Sequence, residues 1–267
     1  MSHASGTEPT VRVGTSGWSF RHWQGPYYPA DLPADEWLPH YARDFHAVEV
    51  NSTFYGLPEE ATFAAWRART PEDFLFALKA PRTVTHLHKL RNCTEPLTAF
   101  LARARLLGPK LGPVLFQLPP RWHANPSRLA EVLALLPAGL RSAFEFRDPS
   151  WHQEEVYAVL RAHNAAFCVF DAGGVTTPLV TTADFVYVRL HGPGASPYAG
   201  SYGEAQLRDW AAKARQWAGR GQKDVFLFFD NDQAGYAVRN AAGMRKYLEE
   251  DLRSAPPAAF AGAAEGG

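Results

Sequence analysis

Charged and amide side chains recur at alternate positions near the ends of short apolar runs. Glu145 and Arg147 alternate through FEFR, and Tyr187, Arg189 and His191 alternate through VYVRLH. Glu49 and Asn51 do the same in VEVN, Lys79 closes FALK with His86 a little further on, and Gln117 closes VLFQ. Asp171 follows the run ending at Phe170, and Asp230 and Asn231 follow FLFF. These types supply the parts of a polar active site. Lys79, Arg147 and Arg189 could hold a phosphate or carboxylate, the arginines by bidentate contact. Glu49 and Glu145 would serve as general acid and base once burial and neighbouring cations separate their pKa values. His191 or His86 would relay a proton near neutral pH. Asn51, Gln117 and Asn231 would orient a ligand, and Trp18, Tyr55 and Trp151 offer flat faces for a sugar ring. The expected chemistry is a hydrolase, lyase or isomerase reaction on an anionic polar small molecule, such as a sugar phosphate or sugar acid, with no cofactor required.

Two other readings use the same residues. Glu145, Asp171, His191 and Asp230 end successive runs and could hold Mn²⁺, Mg²⁺ or Zn²⁺. By analogy alone, that order is similar to metal-dependent sugar epimerases and to barrel-type apurinic endonucleases. Against it, Arg147 and Arg189 can neutralise the carboxylates without a metal. Eight tryptophans and a cationic mouth could instead grip a single strand in a non-enzymatic module. Against that, Lys plus Arg and Asp plus Glu number 27 each, so net charge is zero, and a dedicated nucleic-acid binder usually carries a basic excess. Arg67, Arg69, Arg82, Lys89, Arg91 and Lys213 are scattered and read as solvated surface charge.

The runs that position these residues are Val11–Thr15, Ala47–Val50, Leu75–Lys79, Val114–Gln117, Ala143–Phe146, Phe167–Phe170, Phe185–Arg189 and Val225–Phe229. Each is short, apolar and β-rich, and most are followed by a turn and a helical pattern. Helices are expected over Asp35–Asp44, Pro58–Arg69, Thr94–Leu107, Ser127–Leu136, Trp151–His163, Glu204–Ala218 and Tyr236–Leu252. Gly173–Thr182 is too short and β-branched for a full helix. Alternating strands and helices imply a parallel sheet, and eight strands point to a single α/β (β/α)8 TIM-type barrel, irregular after the sixth strand. An open doubly wound sheet is the alternative, but its G-x-G-x-x-G turn is missing. In a barrel, parity sends the apolar set to the outer helices and the polar set into the mouth. One Glu–Arg pair is more often architectural than catalytic, but every strand end except the first carries a charge or an amide.

The 267 residues are 46% hydrophobic and 20% charged, which suits one folded domain over about 11–252. The flanks, 1–10 and 253–267, read as disordered tails. No apolar run approaches a membrane span, and MSHASGTEPT lacks an apolar leader. With two cysteines, a cytoplasmic protein with reduced thiols is expected. Cys168 reads as an inert core residue and Cys93 as the more exposed. No G-x-S-x-G, phosphate-loop or H-E-x-x-H motif occurs.

Seven ordered runs carry a family resemblance: VGTSGWSF with HW, G and YYP from Val13, VEVNSTFYGLP, FALKAPRTVTH, VLFQLPPRW, FEFRDPSW, VYVRLHG, and FFDND followed by NAAGM. Together, over about residues 11–252, they resemble the YecE-like family, also called domain of unknown function 72. The resemblance implies a TIM barrel and a bacterial or archaeal protein, and no established activity. Its motif residues fall on Glu49, Asn51, Tyr55, Lys79, His86, Gln117, Glu145, Arg147, Trp151, Arg189, His191 and Asn231. One departure is Asp230, where the family usually has asparagine; it adds a carboxylate.

Overall fold

The structure is a computed structural model that describes residues 10–254 apart from Pro197 and Lys223. Residues 1–9 and 255–267, most of the two expected tails, lie outside the described residues. Thr10 opens the first strand and Arg253-Ser254 close the last helix.

The strands are β1 Thr10–Thr15, β2 Ala47–Val50, β3 Leu75–Lys79, β4 Leu111–Leu118, β5 Ser142–Phe146, β6 Ala166–Ala172, β7 Val175–Thr176, β8 Phe185–Leu190 and β9 Asp224–Phe229. All but β7 run parallel in the order β1-β9-β8-β6-β5-β4-β3-β2. The ends of that order meet through one parallel bridge, Ser16 to Glu49, which gives a nearly closed eight-stranded TIM-type barrel. The helices are α1 Trp37–Asp44, α2 Ser52–Tyr55, α3 Glu60–Ala68, α4 Thr94–Ala104, α5 Pro126–Leu135, α6 Glu154–Ala162, α7 Glu204–Gly219 and α8 Tyr236–Ser254. Between β6 and β8 the chain makes a hairpin, β7 pairing antiparallel with β6, and no helix forms there. Among the described residues, no helix is long and apolar enough to cross a membrane.

The seam between β1 and β2 has a physical cause. A Cβ at Gly14 would lie 2.1 Å from Ala47 O, so only glycine lets the strands approach this closely. Instead of a ladder, the Tyr41 hydroxyl accepts from Thr15 N (2.9 Å) and donates to Ala47 O (3.2 Å).

Two apolar layers follow from strand parity. Val48, Val50, Phe76, Leu78, Phe116, Phe144, Phe146, Val186 and Val188 pack outward under the helices. Ala47, Ala77, Leu115, Ala143, Cys168, Tyr187 and Phe228 fill the interior. Two residues on from each interior position, on the same face, stand Glu49, Lys79, Gln117, Glu145, Phe170, Arg189 and Asp230. The interior layer is therefore the floor on which the polar side chains stand.

Three local expectations are corrected. The α4 helix stops at Ala104, and tighter turns follow over Arg105–Lys110, broken at Gly108, which takes φ 57°. The helix expected from Trp151 begins at Glu154; Asp148 accepts from Ser150 N and caps a separate 3₁₀ turn, Pro149–Trp151. Cys93 is as buried as Cys168, sitting at the start of α4 within the core.

Candidate active site

Arg189 is the hub of the mouth. It reaches Glu49 through Nε (2.9 Å to Oε2) and Nη2 (2.8 Å to Oε1), Glu145 Oε2 through Nη1 (2.7 Å), and Asp230 Oδ2 through Nη2 (2.9 Å). Its side chain is 1% exposed and both glutamates are 0% exposed. Glu49 also accepts from the Tyr187 hydroxyl (2.7 Å). Glu145 accepts from Gln117 Nε2 (2.8 Å) and from Arg147 Nε. Such buried charges persist because each has a partner. Burial opposes the charge on Glu145, but the guanidinium groups of Arg189 and Arg147 outweigh it and hold the carboxyl well below the usual range.

Three of the residues expected to act in the site are engaged within the protein. Glu49 and Glu145, expected as general acid and base, are both sealed and held by donors. Arg189, expected as a ligand contact, has its nitrogens taken by three carboxylates.

The groups facing the open space stand one step further out. Arg147 donates through Nη2 toward His191 Nε2 (2.8 Å) and lies over the Phe170 ring (4.7 Å). Its side chain is 21% exposed. A guanidinium only donates, so Nε2 of His191 is the accepting nitrogen and Nδ1 carries the proton. Nδ1 lies 3.0 Å from Asp230 Oδ2, at an angle that makes no hydrogen bond. Burial opposes the charge on Asp230, while Arg189, His191 and Lys79 bring its pKa below the ordinary value. Arg147 and His191 line a cavity of about 190 Å³ with Gly173, Gly194, Ser196 and Tyr198. The glycine-rich loop after β8 forms one wall, and its described residues are tied down. Gly192 takes φ 103°, and a Cβ there would meet Ala199 O at 2.3 Å. The Tyr202 hydroxyl donates to Asp171 (2.7 Å) and accepts from Gly192 N (3.0 Å).

Lys79 lies at the end of β3 over the Phe54 ring, 4.3 Å from its centroid. Among the described residues its amine has no hydrogen-bond or ion-pair partner. Burial, then Arg189, lower its pKa to about 8, against the pull of Glu49, Glu145 and Asp230. His86 packs on the other edge of Phe54 (4.9 Å between rings), its pKa lowered by burial, Lys79 and Arg82.

A second hollow of about 400 Å³ opens beside the seam. It is lined by Ser16, Trp18, Phe20, Asn51, Tyr55 and Trp66 among others. Tyr55 is 75% exposed, and the buried Ser16 Oγ and Asn51 Oδ1 have no hydrogen-bond partner among the described residues. The short helix α2 joins the two regions: Asn51, Ser52 and Tyr55 face this hollow, while Thr53 donates to Lys79 O (2.7 Å) and Phe54 underlies the amine.

Other candidates are placed elsewhere. Trp151, one of the flat faces offered to a sugar ring, is fully buried, stacks on Phe146 (4.7 Å) and donates to Trp122 O (2.6 Å). Asn231 is buried and holds loop and helix together, donating to Gly200 O and Asn240 Oδ1 (2.8 Å each). Asp171 is engaged by Tyr202 and Thr176. It does not join Glu145, His191 and Asp230, and among the described residues no group of three or more His, Cys, Asp or Glu is disposed to hold a metal ion. Of the contributors not singled out from sequence, Tyr187 carried a signal, its parity with Arg189. Phe54 and Tyr198 carried none as site residues.

The chain matches, over residues 12–261, the family model described as "Protein of unknown function DUF72". It is 37% identical over 115 residues to the UPF0759 protein YecE of Escherichia coli K12, a match spanning 43% of this chain and only 42% of that protein. It is 25% identical to the UPF0759 protein YunF of Bacillus subtilis, covering 92% of this chain and 98% of that one. Among solved structures it is similar to a DUF72 family protein from Thermotoga maritima, with 32% identity, TM-score 0.80, and 90% and 99% of the two chains covered.

Proposed function

We propose that this chain, which belongs to the family described as protein of unknown function DUF72, is an enzyme that binds an anionic polar small molecule at the barrel mouth and works on it by acid–base chemistry. The substrate class is a sugar phosphate or sugar acid, and the reaction a hydrolysis, elimination or isomerisation. The observation that carries this reading is His191, placed between Arg147 Nη2 and Asp230 in the wall of a cavity of about 190 Å³.

Each neighbour then has a task. Arg147 anchors the anion: it is the mouth arginine that keeps exposure, and Glu145 fixes its orientation. An anion drawing Arg147 Nη2 toward itself would release the lone pair on His191 Nε2, which can then accept a proton from substrate. Asp230 stabilises the imidazolium so formed, as a carboxylate behind a histidine does in hydrolases. Glu49, Glu145, Tyr187 and Arg189 are the rigid support that keeps these groups in place. The aromatic hollow supports a second contact, in which Trp18 and Tyr55 take a ring face and Ser16 Oγ and Asn51 Oδ1 its hydroxyls.

The test is a thermal-shift and calorimetric screen of sugar phosphates and sugar acids, repeated on Arg147→Gln and His191→Asn. Arg147→Gln is expected to lose binding, whereas His191→Asn keeps binding and loses turnover. Ligands that bind both variants and the parent equally would overturn the proposal.

A further inference from the structure

Among the described residues two lysines are buried, and they are treated differently. Lys110, 7% exposed, gives its amine to Arg67 O (2.6 Å), Thr70 O (2.6 Å) and Thr70 Oγ1 (3.2 Å). A buried ammonium satisfied in this way is a structural cross-link. Lys79, 8% exposed, has three carboxylates in its surroundings and bonds to none. Glu49 is taken by Arg189 and Tyr187, Glu145 by Arg189, Arg147 and Gln117, and Asp230 by Arg189 beside His191. The network leaves one amine without an acceptor. Nor is that amine among the polar atoms sealed off from solvent without a partner, so it still touches the mouth. Its backbone is fixed on both sides, with Thr53 Oγ1 donating to Lys79 O (2.7 Å) and Ala80 N donating to Leu115 O (2.8 Å).

We propose that Lys79 is a nucleophile for carbonyl carbon, whose amine condenses with the aldehyde or ketone of a substrate that also carries a carboxylate or phosphate. This rests on the reading of the mouth as an anion site, since Arg147 would hold the anionic end. In the step, the Nζ lone pair bonds to the carbonyl carbon and the C=O π pair moves to oxygen, which takes a proton. The carbinolamine then loses its hydroxyl as water, one amine proton and one proton from solvent leaving with the oxygen, and the C=N bond that forms keeps the other amine proton. The protonated imine is cationic where the ammonium stood, so Glu49, Glu145 and Asp230 stabilise it, Arg189 opposing. It also acidifies the adjacent C–H, which gives an acid–base site its chemistry.

Desolvation beside another cation is the usual means of making a lysine nucleophilic, and here burial and Arg189 bring the pKa to about 8 from 10.5. That difference gives on the order of a hundredfold more free amine at pH 7 than an ordinary lysine has.

The experiment is reductive trapping. The purified full chain is incubated with sodium cyanoborohydride and either pyruvate or dihydroxyacetone phosphate, and the modified lysines are mapped by peptide mass spectrometry. Expected is an adduct on Lys79 forming at least about tenfold faster than on exposed Lys89 and Lys246, rising between pH 6 and 9, and absent at that position in Lys79→Arg. The pyruvate and phosphate arms tell which anionic end the site takes. Labelling of Lys79 no faster than of Lys89 and Lys246 in both arms would overturn the proposal. The Arg147→Gln variant separates the two readings. Failed trapping with Arg147-dependent anion binding intact removes the imine alone. Selective trapping that ignores Arg147 removes the anion site and keeps the nucleophile.

Discussion

The two ends of the barrel hold charge in opposite ways. At the foot, where the strands begin, Arg12 and Arg141 pair with Asp224 at 3.7 and 2.6 Å, with side chains 15–31% exposed. They line a hollow of about 610 Å³. At the mouth the cavity beside His191 is about 190 Å³, yet it is backed by an arginine and two glutamates that are at most 1% exposed. Volume alone would place function at the foot. The cost of burying charge argues for the mouth, because sealed charges are retained only where they are paired and their geometry matters.

The sharpest way to break this contrast is to remove one arginine at each end. Arg189→Met would leave three carboxylates facing one another in the interior. It is expected to cost at least about 3–5 kcal/mol in urea unfolding, whereas Arg141→Met should cost no more than about 1 kcal/mol. Equal losses would mean the mouth network is no different from a surface pair.

The two buried lysines give a contrast of opposite sign. Lys110→Met abandons three oxygen acceptors and is expected to lose about 1–3 kcal/mol. Lys79→Met removes an ammonium that burial penalises and is expected to gain about 1–3 kcal/mol at pH 7. The sign follows from the pKa. Lys79 is near 8 in the folded chain and 10.5 as an ordinary lysine, so the unfolded chain holds the proton more tightly between those values. Stability from this group therefore rises as pH climbs from about 8 to 10.5, and the rise should vanish in Lys79→Met when urea midpoints are compared across that window.

A smaller effect concerns acid. Glu145 is held well below 4.5 in the folded chain, so its contribution is present above the unfolded carboxylate value and is lost only as pH falls through the lower folded one. Circular dichroism on acid titration should show the barrel keeping its fold below pH 4, and Arg147→Gln should move the transition upward.

Much of this was legible in the sequence. Strand positions could be read because apolar and polar residues alternate and the barrel buries both faces. Parity alone put Glu49, Glu145 and Arg189 on one interior column. What parity could not give is how deep each side chain sits along that column. Arg189 and Arg147 look alike in sequence, yet one is sealed by three carboxylates and the other reaches the cavity. Trp151 and Trp18 both follow strands, but the 3₁₀ turn capped by Asp148 sends Trp151 into the core. Helix α2, four residues long, is too short for any periodicity to mark, although it links the amine of Lys79 to the aromatic hollow.

The central claim is that an anionic ligand meets Arg147 while Arg189 stays internal, and arginine Nε–H resonances of ¹⁵N-labelled protein report on both at once. During titration with a panel of sugar phosphates and sugar acids, the Arg147 signal is expected to move saturably and that of Arg189 to stay in place. Saturable shifts confined to Arg12, Arg105 or Arg141 at the foot, or no saturable shift of Arg147 with any member of the panel, would contradict it.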